Sequence, residues 1–347
     1  MLQQVILPLY TIYAVTTITM NTFVIVRMHS ANYIPAKLPA MAKRYTCCFI
    51  TLLLIYQSAT AQQAPQVFEP GKISNGFANR DMAISADGNE LFYTIQATKG
   101  FFSVIMHCVK KNGIWGEPEV ASFSGLHSDL EPFFSPDGTR LYFSSNRPLK
   151  DSTKEKDFDI WYVTKTSGGW QNPQNMGAPI NTTTDEFYIS IAKSGNAYFT
   201  RGTDGKNDDI KISRYVNGKY QEPESLSDSI NSKGYEFNAF VDPDEQFILY
   251  TAYRRPEGQG SGDLYISRKT ASGEWGAGVN LKVLSSPYMD YCPFVTADKK
   301  YLYFTSDRPQ MGLPFTAAKK AKDISAILGS AGNGFDDIYV LPFSALQ

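Results

Sequence analysis

The chain has 347 residues, of which 43% are hydrophobic, 14% aromatic and 19% charged, and its formal net charge is −1. This composition can fill a hydrophobic core and argues against a disordered chain. No basic run is long enough to follow a phosphate backbone, so we expect no nucleic-acid partner.

The segment from Met41 to residue 61 has the order of a secretory signal peptide. A basic pair, Lys43 and Arg44, precedes a short apolar stretch, Cys47–Tyr56, and the small-x-small sequence Ala59–Ala61 follows. The apolar stretch is too short to span a bilayer comfortably. We therefore predict a signal peptide over 41–61, export to the periplasm or the extracellular space, and a mature chain without a stable membrane span.

The segment upstream of Met41 has two interpretations. Met1–Val26 is uncharged and moderately apolar, which would suit a membrane anchor. Alternatively, 1–40 is an upstream extension and Met41 is the true initiator. Because the signal-like segment follows Met41 directly, we favour the second interpretation and predict that 1–40 is not part of the fold.

One sequence unit occurs five times in the remainder of the chain. Its clearest copy reads EPFFSPDGTRLYFSSNRP from Glu131 and continues with DFDIWYV from Asp157. The other copies begin at acids 50 to 55 residues apart: Asp81, Glu186, Glu236 and Asp290. Each unit is typical of four short strands, with a tight turn such as Asp137-Gly138 after the first strand. We predict an all-β fold, a single β-propeller of about five four-stranded blades over 62–347.

The two ends of the repeat array complement each other. The last copy stops one strand short, at the carboxyl end of the chain, whereas Val67–Pro70 precedes the first copy and matches the fourth-strand segment around Trp115 and Pro118. An unpaired strand would leave an open sheet edge. We therefore predict that the N-terminal strand of the mature chain completes the last blade and closes the ring.

The pattern E-P-x-x-S-P-D-G-x-x-L-Y-F-S-S-x-R-P, followed by D-I-W, resembles the TolB-type propeller repeat, a relative of the WD repeat. The second unit carries it best, with Ser135–Gly138 intact, while other units have lost the turn glycine, the arginine or the D-I pair. The resemblance covers the whole predicted mature chain and implies a propeller architecture. It implies little about activity, because a fold does not define a function.

Repeated polar side chains are expected at one mouth of the propeller channel. They are the five leading acids, Asp81, Glu131, Glu186, Glu236 and Asp290, and the arginines Arg147, Arg254 and Arg308. As a ring, the acids could bind a calcium ion or a cationic ligand. Alternatively, each acid pairs with the arginine of its own blade and has a structural role. We favour this second interpretation, and we predict no metal site and no cofactor.

The sequence contains no clear catalytic set. HExxH and GxSxG are absent, and equivalent acids in five blades would not give the separated pKa values that acid–base catalysis needs. Two loops depart from the repeat, Leu149–Phe158 and Gln310–Phe335, and Thr316–Leu328 can form a short amphipathic helix. The leading hypothesis is an exported binding or scaffold propeller that presents its loop face to a protein or glycan. The alternative is a carbohydrate-active hydrolase or lyase that uses carboxylates at the channel mouth.

Overall fold

The structure, a computed structural model, describes residues 64–149, 156–203 and 207–346, together with the backbone of two short strands near the N-terminus. Contacts divide the chain into two units, Met1–Ala61 and Gln62–Gln347. In the first unit, β1 (Thr17–Met20) pairs antiparallel with β2 (Phe23–Val26). The predicted signal peptide lies outside the described residues. No helix in the described residues is both long and apolar enough to cross a bilayer.

The second unit is a five-bladed β-propeller, which confirms the predicted fold class. In chain order its strands begin with β3 (Gln66–Val67) and continue through blade 1, which is formed by β4 (Ala78–Ile84), β5 (Glu90–Gln96), β6 (Ser103–Lys111), β7 (Ile114–Trp115) and β8 (Glu119–Val120). Blade 2 comprises β9 (Asp129–Phe134), β10 (Arg140–Ser145), β11 (Asp159–Thr166), β12 (Gly169–Trp170) and β13 (Gln174–Asn175).

The remaining three blades follow the same plan. Blade 3 comprises β14 (Glu186–Ile191), β15 (Ala197–Thr203), β16 (Asn207–Ser213), the separate ribbon of β17 (Tyr215–Val216) and β18 (Lys219–Tyr220), and β19 (Glu224–Ser225). Blade 4 comprises β20 (Tyr235–Val241), β21 (Phe247–Tyr253), β22 (Gly262–Arg268) and β23 (Val279–Asn280). Blade 5 comprises β24 (Asp290–Val295), β25 (Tyr301–Ser306), β26 (Asp337–Pro342) and, as its fourth strand, β3.

Strand β3 closes the ring, as the sequence predicted. It pairs antiparallel with β26, with Val67 opposite Tyr339, and the backbone N–H of Phe68 donates to the carbonyl of Ile338 at 2.8 Å. The ring of Phe68 packs edge-to-face on Tyr303, with 5.0 Å between centroids. The outer edge of β26 is therefore covered by the first described segment of the propeller.

The aromatic runs of the repeat form the second strands, and their central rings are completely buried. One ring comes from each blade: Tyr93, Phe143, Phe199, Tyr250 and Phe304, each at most 1% exposed. Complete burial of a side chain of this size stabilises the fold by roughly 1.5–3 kcal/mol. These rings fill the space between neighbouring sheets.

The turns between first and second strands share one backbone conformation. Gly88, Gly138 and Gly195 have positive φ there, and Glu245 and Lys299 take φ of 53° and 54° at the same place in blades 4 and 5. Glycine adopts this conformation without strain, so the non-glycine residues at this position in blades 4 and 5 hold a strained backbone.

Each innermost strand carries an irregularity at the same place. The register with the second strand shifts there in all five blades. One non-glycine residue in each shift has a φ between 40° and 61°: Asp81, Glu131, Tyr188, Asn238 and Cys292. Such bulges redirect a side chain. Here they bring five side chains to the propeller axis.

The long loop of blade 5 contains the helix α1 (Ala321–Leu328), inside the segment predicted to be helical. None of its residues is buried. The loop that holds α1 contacts the connection before β4, where Asn333 Nδ2 donates to the carbonyls of Gly76 and Leu328 at 3.2 and 2.7 Å.

Candidate functional site

The five leading acids do not form one ring, because they occupy two different positions of the innermost strand. Glu186, Glu236 and Asp290 lie eight residues before the turn residue that follows, whereas Asp81 and Glu131 lie six residues before it. The structural equivalents of the first three acids in blades 1 and 2 are Asn79 and Asp129. Counting back from the turn, rather than from the acid, would have revealed this in the sequence.

The acids at the first position pair with an arginine of their own blade. Arg147 donates to Asp129 at 2.6 Å, Arg201 to Glu186 at 2.9 Å, Arg255 to Glu236 at 2.9 Å, and Arg308 to Asp290. All four carboxylates are completely buried. Each arginine also donates to a backbone carbonyl, those of Phe123, Ile180, Ile230 and Leu284. In blades 2 to 5 the pairs therefore join the innermost strand to the connection that precedes it.

The arginine of blade 4 differs from the one expected. Arg254 is exposed, has a φ of 50°, and lies over the ring of Tyr253 at 4.8 Å. Its neighbour Arg255 contacts Glu236 instead. The sequence reads RR at this point, and only the direction of the strand end decides which of the two side chains faces inward. Arg201, which completes the set in blade 3, was not selected from the sequence.

Asp81 and Glu131 lie together at the propeller axis with a different set of residues. Arg80 is the centre of this cluster: its Nε donates to Asp81 Oδ1 at 2.7 Å and its terminal nitrogens donate to Glu131 Oε1 and Gln96 Oε1 at 3.3 and 3.1 Å. The thiol of Cys292 donates to Asp81 Oδ1 at 2.9 Å. Asp81 is 1% exposed and both of its oxygens are bonded, so it is sealed from solvent.

The Glu131 carboxylate is buried at the axis beside the carboxylate of Asp81. Its carboxylate accepts hydrogen bonds from the backbone of Tyr188 at 2.7 Å, from Asn238 Nδ2 at 3.2 Å and from Ser144 at 3.3 Å. Burial raises the pKa of Glu131, and the charge of Asp81 raises it further, to about 7, against the opposing effect of Arg80. Glu131 is therefore close to its titration point at neutral pH, because burial and the neighbouring charge of Asp81 outweigh the hydrogen bonds that its carboxylate accepts.

The axial cluster does not fit calcium. One ligand atom from each of Asp81, Glu131 and Cys292 lies within 4.8 Å of the others. Calcium takes six to eight oxygen ligands, however, and a thiol supplies none. The Arg80 guanidinium already donates to both carboxylates, so a divalent ion would have to displace a buried cation. Burial raises the pKa of the Cys292 thiol well above its usual range, which also disfavours a thiolate ligand.

A cavity of about 450 Å³ opens above this cluster on the face that carries the connections between blades. Its wall contains, from every innermost strand, the residue directly before the positive-φ residue of the bulge: Arg80, Leu130, Phe187, Phe237 and Tyr291. Its floor contains Glu131 and Asn238 from the axial set, and Phe158 and Asp208 complete the side of blades 2 and 3. None of the lining residues comes from the loop that holds α1.

A second, smaller cavity of about 190 Å³ lies at the opposite end of the axis, among the tight turns. Its lining is largely apolar and includes Phe133, Phe134, Phe240 and Phe294. None of the residues that the structure describes lines both cavities. The buried axial side chains therefore separate the two ends of the channel.

The fold and the site together define a five-bladed propeller with a blocked axis and a polar-floored cavity on its loop face. No family model matches the chain, and no curated protein matches it. Among solved structures it is similar to a protein assigned as TolB from Agrobacterium tumefaciens, at 14% identity over 77% of this chain and 90% of that one, with a TM-score of 0.45.

Glycoside hydrolases are similar to the same extent. A thermostable family-43 glycoside hydrolase matches at 10% identity over 80% of this chain and 92% of its own, with a TM-score of 0.48. An arabinanase from Bacillus subtilis matches at 11% identity over 80% and 97%, with a TM-score of 0.46. These similarities concern the fold alone and do not select a function.

Proposed function

We propose that this protein is a non-enzymatic binding propeller, a distant member of the TolB-type repeat group, that acts outside the cytoplasm and receives part of a protein or glycan partner in the loop-face cavity. The observation that carries the proposal is the cavity itself. Every blade contributes one wall residue to it, and its volume lies in the range of about 300–1,000 Å³ that is usual for ligand pockets.

The surroundings of the cavity support docking of a larger partner. Large apolar side chains are exposed on the connections of the same face: Phe77, Phe101, Leu126, Leu149, Tyr288, Leu313 and Phe335. Exposed apolar residues grouped on one face are typical of an interaction surface. The partner would then contact the connections and insert one group at the axis.

A hydrolase is the alternative, and one observation favours it. Glu131, with a pKa raised to about 7, has the property of a general acid. Glycoside hydrolysis requires a second carboxylate that reaches the substrate or a water. Asp81 is 1% exposed and bonded through both oxygens, so it does not reach the cavity. Asp208 does line the cavity, but burial and the neighbouring Asp185 and Asp209 raise its pKa as well, so the two carboxyls are not driven apart into an acid and an ionised base. We therefore place binding ahead of hydrolysis.

The test uses the chain from Gln62 and two matched tryptophan variants. Leu130→Trp fills the cavity, because Leu130 lines it, whereas Leu126→Trp changes a side chain that is 89% exposed on the same face. Peptide and glycan arrays are screened with all three proteins. We expect a ligand that binds the wild type and the Leu126 variant, and that the Leu130 variant loses.

Two results would contradict the proposal. Equal binding by the Leu130 and Leu126 variants would move the site away from the cavity. Release of a reducing sugar from a glycan that the wild type binds, absent in Glu131→Gln, would favour the hydrolase.

A further inference from the structure

We propose that the loop-face cavity is a receptor for the cationic side chain of a peptide segment, with arginine preferred over lysine. The inference rests on the proposed binding function and names the chemistry of the group that enters the site. Three features of the cavity carry it: an unpaired carboxylate, an amide oxygen without a donor, and aromatic faces.

The unpaired carboxylate belongs to Asp208. It lines the cavity at the start of β16, and within the described part of the chain its side chain has neither a hydrogen-bond donor nor an ion-pair partner. The negative charges of Asp185 and Asp209 lie nearby, and with burial they raise the pKa of Asp208. A cation placed beside Asp208 would therefore relieve both its desolvation and this repulsion.

The second feature is the side-chain amide oxygen of Asn238. This residue is 96% buried and lines the floor of the cavity. Its Nδ2 donates to Glu131 at 3.2 Å, whereas its Oδ1 accepts no hydrogen bond from any residue the structure describes. This oxygen is not among the side-chain atoms of the described residues that are both sealed from solvent and without a partner, so a ligand in the cavity can reach it. An N–H group of a ligand would supply the missing donor.

The aromatic faces come from Phe158, Phe187 and Phe237, all half-buried in the wall. Phe158 and Phe187 pack with their ring centroids 5.1 Å apart. A cation over an aromatic face is stabilised by the ring quadrupole, most strongly where water is excluded. Rings beside a carboxylate suit a planar guanidinium, which stacks and also donates two parallel hydrogen bonds.

The positive charge of Arg80 does not pair with Asp208 or with the oxygen of Asn238. Among the described residues that line the cavity, Arg80 is the only base, and its nitrogens contact Asp81, Gln96 and Glu131. The described wall therefore presents acceptors and rings toward the open volume. A peptide is favoured over a free amine because the exposed apolar residues around the mouth would cover the residues that flank the inserted side chain.

Isothermal titration calorimetry on the chain from Gln62 tests the inference with three capped glycine pentapeptides. Their central residue is arginine, lysine or citrulline, the last being a neutral analogue of arginine. We expect the arginine peptide to bind most tightly, the lysine peptide more weakly, and the citrulline peptide at least about tenfold more weakly than arginine. Binding should weaken as salt is added.

Two variants locate the interaction. Asp208→Asn should weaken the arginine peptide about tenfold, whereas Asp228→Asn, which removes an exposed acid that does not line the cavity, should leave its affinity unchanged. Melting curves of both variants check that the fold is intact. Spermidine serves as the free-amine arm, and tighter binding of spermidine than of the arginine peptide would contradict a peptide partner.

Equal affinity for arginine and citrulline peptides, equal loss in both aspartate variants, or no binding of the arginine peptide would each overturn the inference. A neutral glycan or peptide that binds the wild type and is lost in Leu130→Trp would overturn it while leaving the proposed binding function in place. If no array ligand loses binding in Leu130→Trp, both the inference and the proposed binding function are overturned.

Discussion

The carboxylate of Glu131 in blade 2 accepts a hydrogen bond from the backbone N–H of Tyr188 in blade 3 at 2.7 Å. The two residues are 57 positions apart, and both lie at the bulge of their innermost strand with positive φ. This contact links neighbouring blades through a group that titrates near neutral pH. The protonation state of Glu131 is therefore coupled to the stability of the axis.

The first prediction concerns the pH dependence of stability. The pKa of Glu131 is about 7 when folded and near the usual 4.5 when unfolded, so between these values only the folded chain keeps the proton. Stability contributed by this group is complete below about pH 4.5 and is lost as the pH rises to 7, by roughly 3 kcal/mol. Glu131→Gln should remove this decline, as measured by urea unfolding at several pH values.

The difference between the pH profiles of wild type and Glu131→Gln isolates Glu131, because the other buried acids titrate in both proteins. Asp337, with a pKa raised by burial to about 6, is one of them. Asp244→Asn, at a carboxyl that is half-exposed, is the control and should keep the wild-type slope. Parallel pH profiles for wild type and Glu131→Gln would show that Glu131 titrates normally.

The second prediction uses the adjacent arginines of blade 4. Arg255→Ala leaves Glu236 buried without its ion-pair partner, which should cost about 3–5 kcal/mol. Arg254→Ala removes an exposed side chain and should cost less than about 0.5 kcal/mol. Chemical denaturation of both variants measures the difference. The opposite order would mean that Arg254 holds the innermost strand.

The third prediction concerns closure of the ring. A chain that begins at Asn75 lacks β3 and the buried side chains Phe68 and Ile73. Burial of two such side chains stabilises by roughly 3–6 kcal/mol, and the edge of β26 becomes open to other strands. We expect a lower melting temperature or aggregation. A chain that begins at Gln62 is the control, and identical melting of the two would mean that β3 does not close the ring.

The fourth prediction is that calcium does not stabilise the protein. The buried acids of blades 2 to 5 are paired with arginines, and Arg80 occupies the axial pair. A bound ion would raise the melting temperature by mass action. We expect the same melting temperature in chelator and in millimolar calcium. An increase that Glu131→Ala abolishes would place an ion at the axis.

The fifth prediction concerns thiol reactivity. Cys108 and Cys292 are both free and buried, and burial raises the pKa of Cys108 to about 11. Since the thiolate is the reactive form, the native chain from Gln62 should react slowly with a thiol reagent and rapidly once denatured. A fast-reacting native thiol would show that one of the two sites opens to solvent.

Much of the fold could be predicted because its determinants are local and repeated. The aromatic strands, the Asp-Gly turns and the fourth-strand segment each depend on residues close in sequence, and five copies made the pattern unambiguous. The missing strand at the end and its match at Val67–Pro70 then determined how the ring closes. These predictions are confirmed by the five sheets and by the pairing of β3 with β26.

The site could be predicted only in part. The sequence aligned Asp81 and Glu131 with Glu186, Glu236 and Asp290 because all are acids at the start of a repeat, and their ligand-binding role stays a prediction. A two-residue offset on a bulged strand decides whether a side chain pairs with its blade arginine or reaches the axis. Counting back from the turn shows the offset in the sequence, but the positive-φ bulge that turns the second of the two positions toward the axis is a backbone conformation that the residue type does not reveal.

The sequence by itself determined the number of blades, the order of the strands and the closure of the ring, because hydrophobic alternation and turn chemistry act over a few residues. Only the tertiary structure decided which side chains meet at the axis. Arg80, Asp81, Glu131, Asn238 and Cys292 come from four different blades, and their contacts arise when those blades pack around one line. The contacts of these residues and the cavity above them both result from the packing of the blades.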